Sequence, residues 1–229
     1  VTHRGAVSAD AKTGDGAGVT TQLPQAFFAK VLDQFHASAV APGELAVGMI
    51  FLPREAARAE QAQRIIEEEI QRAKIALIGW RDVPTRPEVL GEQAALSLPR
   101  IRQVLMSRPS TVSKEAYERL LYMVRRRIER HLELAGLADC YIPSFSSRIL
   151  VYKGLLVAPQ LEQFYQDLCD PDYASALAVF HQRYSTNTFP NWFLAQPFRY
   201  LSHNGEINTL QGNRNWMRAR EAELSSSLW

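Results

Sequence analysis

Arg183, Asn204 and Gly205 are the residues here whose types and spacing best match a definite chemistry. They fall in one stretch, HQRYSTNTFPNWFLAQPFRYLSHNGEINTLQGN, from His181 to Asn213. An apolar run predicts a strand over Ala174–Phe180, which would deliver Arg183 at its carboxyl end. A second run, Pro197–Ser202, reads as extended and leads into His203-Asn204-Gly205. Two neighbouring strands ending together would set Arg183 and the Asn-Gly pair on one rim. An asparagine amide and a glycine N–H can aim two donors at one oxyanion, and a guanidinium can grip a carboxylate through two parallel bonds. Those parts suit acyl transfer, with the donors stabilising a tetrahedral intermediate and the arginine orienting the substrate. Plainer roles fit the same residues. Asn-Gly between extended runs is the commonest hairpin-turn pair, and a lone arginine can pair with a surface carboxylate. Residue types alone favour the turn.

Other candidates are weaker. Gly14, Gly16 and Gly18 in TGDGAGV fit a backbone nest for an anion or, more simply, a tight turn needing positive φ. No Lys-Ser/Thr follows, so this is not a P-loop, and it does not join a strand to a helix as a dinucleotide fingerprint does. The five histidines, His3, His36, His131, His181 and His203, show no ligand spacing, so no metal site is expected.

The elements that must position these residues follow from periodicity and punctuation. Val19–Leu23 reads as extended. Pro24 opens a helix with Phe27, Phe28, Val31, Leu32 and Phe35 on one stripe. Leu45–Leu52 reads as a buried strand, Arg54–Ala73 as a charged helix with Ile65, Ile66 and Ile70 inward, and Ala76–Trp80 as a short strand. Val83–Gly91 is expected to be a loop and Leu96–Met106 extended. Ser113 caps a helix with Glu115 in its first turn, ended by Gly136. Tyr141–Ser146 and Ile149–Lys153 read as strands, and Asn213–Leu224 as a helix. This order lacks strict alternation and repeats, which predicts an α+β layered domain rather than a doubly wound sheet. No internal linker is visible, so residues 1–229 are expected to form one domain.

Bulk composition narrows the function classes. The chain has 229 residues, 46% of them hydrophobic and 22% charged, enough for a sizeable core. A net charge of +2 gives no pull toward nucleic acid, and no apolar run approaches the roughly 18 residues of a membrane helix. Cys140 and Cys169 stand alone, as in a reducing compartment, and the expected location is cytoplasmic. The start at Val1, without Met or targeting pattern, and the end at Trp229 without a closing strand predict a chain incomplete at both ends.

Three blocks carry a family resemblance: HRGAVSADAKTGDGAG at His3–Gly18, SSRILVYKGLL at Ser146–Leu156, and the His181–Asn213 stretch. In this order they resemble the glutaminase domain of the glutamate synthase large subunit, a class II glutamine amidotransferase. The resemblance implies a four-layer αββα sandwich of the N-terminal-nucleophile (Ntn) hydrolase type. It implies that L-glutamine is hydrolysed to glutamate and ammonia, with the ammonia passed to a synthase domain of the same parent chain for reductive transfer to 2-oxoglutarate. Arg183 would hold the glutamine α-carboxylate, Thr186 would add a contact, and Asn204 and Gly205 would form the oxyanion hole. The stretch from Tyr184 to about Ala195 resembles the loop that closes over glutamine, with Trp192 as a cover. Arg4 would support the nucleophile from behind. FMN and an iron–sulfur cluster are implied for the parent, none for this chain, and a small electron-donating subunit is an implied partner. The family's nucleophile is an amino-terminal cysteine whose own amine is the base. Residue 1 here is Val1, so this chain alone is expected to be inactive, and the acidic residue that grips the glutamine amine is expected beyond Trp229. A non-catalytic glutamine-binding or regulatory domain is the alternative reading, and another class II amidotransferase is a third. The YKGLL and INTLQGN runs speak for glutamate synthase.

Overall fold

The computed structural model describes residues 12–37, 40, 41, 43–182, 190–203, 205 and 209–227. Seven strands form two antiparallel sheets, β6-β1-β7 and β3-β4-β2-β5. The strands are β1 Ala17–Gln22, β2 Leu45–Leu52, β3 Ala76–Asp82, β4 Arg100–Ser107, β5 Tyr141–Ser146, β6 Ile149–Gly154 and β7 Ala178–His181. The helices are α1 Gln25–Gln34, α2 Ala56–Arg72, α3 Glu92–Leu96, α4 Lys114–Leu134, α5 Gln160–Phe164 and α6 Leu210–Arg220.

β2 explains the layering. All eight of its residues are buried, and they divide by parity. Leu45, Val47, Met49 and Phe51 enter a core shared with Leu150 and Tyr152 of β6 and with Phe27, Phe28, Val31 and Leu32 of α1. Ala46, Ile50 and Leu52 enter a second core against α2 and α4, where Ile66, Ile70, Leu121, Val124 and Ile128 are buried. A strand buried on both faces must be apolar at every position, which is the run the sequence shows. The visible order is helices, sheet, sheet. Among the described residues no fourth helical layer covers the three-stranded sheet: α6 has no buried residue. The α+β class stands.

Most elements lie within a few residues of their expected limits, α4 among them. The Ser113 side chain accepts a bond from the Ala116 N–H, and Gly136 takes φ +71 past the helix end. Three expectations differ. Leu96 closes α3, and β4 begins only after Pro99, which has no N–H to give a ladder. β7 starts at Ala178, because Ser175 turns its hydroxyl onto the Gln22 N–H (3.0 Å) and holds the preceding residues out of the sheet. Residues 197–202 are no strand: Phe198 and Leu201 exchange both backbone bonds (2.7 and 3.0 Å) and close a tight turn.

One polar network crosses the core between the sheets. Arg81 of β3 donates to both oxygens of Asp167 (2.6 and 2.7 Å) and to Gln103 Oε1 of β4 (2.9 Å). The Tyr152 hydroxyl of β6 donates to Asp167 (2.7 Å) and accepts from Gln103 Nε2 (3.1 Å). Burial pushes the Tyr152 phenol well above its ordinary pKa, so it remains a donor. Each member has partners, the condition under which a buried network stabilises rather than costs. Tyr152→Phe keeps the ring and removes the shared hydroxyl. We expect a loss of about 1–3 kcal/mol, read as a lower urea midpoint at unchanged m-value. An unchanged midpoint would show that the network does not join the sheets.

Candidate active site

The expected rim starts from β7, whose last residue, His181, lies opposite Gly18 of β1. Gly18 in turn lies opposite Lys153 of β6, so His181, Gly18 and Lys153 form one row across the sheet. At the β7 end a cleft of about 450 Å³ opens, lined by Gly18, Val19, Leu161, Phe180, His181 and Gln182 among others. Arg183 is the next residue along the chain. Arg183, Thr186, Asn204 and Arg4 lie outside the described residues, and Gly205 is exposed. Among the described residues, a Cβ on Gly205 would meet His203 Nδ1 at 3.8 Å, an ordinary contact.

The approach to Asn204 and Gly205 is a fastened turn. Asn191 Oδ1 accepts the N–H groups of Phe193 and Leu194 (3.0 and 2.9 Å) and starts it. Gln196 Oε1 accepts from the His203 N–H at 2.8 Å, and Gln196 Nε2 donates to the His203 carbonyl at 3.0 Å. Arg199 has φ +58, sparsely allowed for a side chain of its size. Its carbonyl accepts from Thr20 Oγ1 (2.7 Å), and its guanidinium donates to the Ile142 carbonyl (3.2 Å) and Glu129 (3.4 Å).

Trp192, expected as a cover, has its indole packed into the core. It is 2% exposed, its Nε1–H donates to the Ala94 carbonyl (3.2 Å), and its ring meets Phe51 edge-on with centroids 6.2 Å apart. A Cβ on Gly154 would stand 2.3 Å from the indole, so the glycine of YKG makes room for it. The indole therefore anchors its end of the segment in the core. The glycine cluster meets the tight-turn expectation at one position and has another cause at the other two. φ is positive only at Gly16, whereas Gly14 and Gly18 are required by close approach, Gly18 to Lys153 and to the Gln196 carbonyl.

Lys153 is the functional candidate that motif reading passed over. It is fully buried, donating from Nζ to the Phe193 carbonyl (2.7 Å) and the Tyr141 hydroxyl (3.3 Å), with Nζ 4.7 Å from the ring centroids of both Tyr141 and Phe198. Its signal was a lysine inside an otherwise apolar strand, ILVYKG. Gln196 had no such signal. Burial, aided by the positive charge of Arg199, lowers the Lys153 pKa to about 7, while the carbonyl and the ring faces favour the ammonium.

Cys140 is free, and burial pushes its thiol up to about 12, which leaves it inert. Cys169 is free and exposed and rests on the Glu162 carbonyl (3.3 Å). Among the described residues no group of three acidic, histidine or cysteine side chains could hold a metal ion. No described helix is long and apolar enough to cross a membrane.

Comparison with known proteins gives one family. Residues 1–229 match the model of the class II glutamine amidotransferases. The chain is 48% identical to the glutamate synthase [NADPH] large chain of Azospirillum brasilense, over 98% of this chain and 15% of that protein. It is 46% identical to the ferredoxin-dependent glutamate synthase of Pyropia yezoensis (99% and 15%) and 42% to the chloroplastic enzyme of Spinacia oleracea (99% and 14%). It thus spans about 15% of the length of these relatives.

The lowered lysine pKa has a measurable sign. Between about pH 7 and pH 10.5 the unfolded chain holds a proton on Lys153 that the folded chain sheds, so stability rises with pH across that window. Below pH 7 both states are protonated and this contribution is constant. Lys153→Met should remove the slope, a difference from wild type of at most about 1.4 kcal/mol per pH unit in urea titrations. Parallel pH profiles would show that Lys153 stays charged in the fold.

Proposed function

The chain belongs to the class II glutamine amidotransferases, and from that premise we propose that it forms the glutaminase part of a glutamate synthase, hydrolysing L-glutamine to glutamate and ammonia. What carries the reading is the full-length family match together with relatives that are themselves named glutamate synthases. On this reading the domain has the αββα Ntn-hydrolase sandwich, and a cysteine at the amino terminus of the natural protein is the nucleophile. Its thiol attacks the side-chain amide carbon, Asn204 and Gly205 donate to the resulting oxyanion, ammonia leaves, and water then releases glutamate from the thioester. Arg183 grips the α-carboxylate, Thr186 adds a polar contact, and Arg4 backs the nucleophile.

The ammonia joins 2-oxoglutarate reductively in a separate synthase domain of the same protein, in the cytoplasm. The relatives' names divide between NADPH and ferredoxin, and on this reading a small electron-donating subunit is a partner. FMN and an iron–sulfur cluster serve that other domain. The residues here do not fit a cluster, which needs cysteine thiolates: there are two cysteines, one of them with an inert thiol.

The test takes the natural protein containing these residues, with its own amino terminus, and follows glutamate release from glutamine. Asn204→Ala should lower kcat by about 100- to 1,000-fold, the usual cost of one oxyanion donor. Arg183→Met should act mainly through KM for glutamine, by at least about tenfold. Residues 1–229 alone, starting at Val1, should release none. Glutamate release that is indifferent to Asn204, or absent from the natural protein, would sink the reading.

A further inference from the structure

We propose that Gln196 is a positioning residue of the glutamine-hydrolysing reaction: its carboxamide sets the backbone that presents Asn204 and Gly205. This rests on the function proposed above. One planar amide takes both polar groups of one residue, accepting from the His203 N–H at 2.8 Å and donating to the His203 carbonyl at 3.0 Å. An N–H requires the oxygen and a carbonyl requires the NH₂, so the orientation of the amide is fixed by its partners. The His203 carbonyl shares one rigid peptide plane with the N–H of Asn204. Holding that carbonyl therefore sets the direction in which the chain enters the proposed oxyanion pair.

The surroundings make Gln196 a fixed point. It is 9% exposed, and its own carbonyl lies so near Gly18 that a Cβ there would stand 2.7 Å away. The loop it closes also holds Arg199 at positive φ, restrained by Thr20 and Ile142. Such a conformation persists only where the surroundings over-determine it. Among the described residues no strand ladder reaches His203, and the Phe198–Leu201 pairing ends before it. The side chain of Gln196 replaces the missing neighbour.

The experiment compares Gln196→Glu and Gln196→Met in the natural protein with its own amino terminus. The first keeps size and acceptor but sets a carboxylate against the His203 carbonyl; the second removes both bonds at similar volume. Both should lower kcat for glutamine hydrolysis by about 10- to 100-fold, the cost of roughly 1 Å of misplacement, with KM changed less than about threefold. As pH falls, the carboxyl introduced by Gln196→Glu takes up a proton and regains a donor. The ratio of that variant to wild type should therefore climb, while the ratio for Gln196→Met stays flat. Hydrogen exchange should accelerate at residues 198–205 and be unchanged in β1, β2 and β6. Near-wild-type kcat in both variants, matched pH profiles, or exchange that accelerates throughout the chain would overturn the proposal. If wild type itself releases no glutamate, the function reading falls, and local exchange still decides whether Gln196 fixes the loop.

Discussion

The buried amine of Lys153 is the constraint around which the site end of this molecule is arranged. Taking an ammonium out of water costs several kcal/mol unless it is well partnered, so whatever surrounds it cannot be arbitrary. Here the partners are the Phe193 carbonyl, the Tyr141 hydroxyl and the faces of two aromatic rings. Two of these, Phe193 and Phe198, belong to the segment that leads toward Asn204. A lysine on β6 thus decides where that segment must lie. If the segment lifted, the amine would lose its nearest acceptor and one ring.

Three consecutive residues of β6 divide the work by the alternation of a strand. Tyr152 points into the core between the sheets and joins the Arg81–Asp167–Gln103 network. Lys153, on the opposite face, holds the site segment. Gly154 offers a bare surface on which Trp192 lies. One short strand therefore couples the packing of two sheets to the placement of a loop. A shift of a single residue in its register with β1 would exchange Tyr152 and Lys153, putting an amine in the polar network and a phenol against Phe193. The pairing Gly18↔Lys153 guards against that, because only glycine at 18 tolerates the Gln196 carbonyl above it.

Where the sequence spoke clearly, a single physical cause acted alone. β2 was legible because burial on both faces demands an unbroken apolar run, and α4 because Ser113 and Gly136 punctuate a strong amphipathic stripe. Misreadings arose where two causes compete. Pro197–Ser202 has the composition of a strand, yet Phe198 and Leu201 satisfy each other's backbone groups locally, so no ladder forms. Trp192 sits in a loop-like run, which gives no sign that its ring is buried. A large ring finds more stabilisation in a core that Gly154 leaves open, and the two residues are far apart in the chain. Gln196 was illegible for a further reason: its two bonds are to backbone, and backbone partners leave no mark in residue type. The family blocks located the candidate site, while the clamps that hold it came only from the three-dimensional arrangement.

The turn at 196–203 suits the chemistry proposed for the residues that follow it better than the expected strand would. In a paired strand each backbone N–H is committed to, or flanked by, a ladder partner, which leaves little to offer a developing charge. An oxyanion donor must be unpaired before the reaction and yet already aimed, since reorganising it during the reaction would forfeit the stabilisation. A free loop meets the first requirement and fails the second. A loop closed by a side-chain amide can meet both, and Gln196 closes this one through its two hydrogen bonds to His203. The exposure of Gly205, with His203 Nδ1 3.8 Å from its missing Cβ among the described residues, suits such a design. Rigidity is supplied by β1 and β6, through Thr20 on the Arg199 carbonyl and Lys153 on the Phe193 carbonyl.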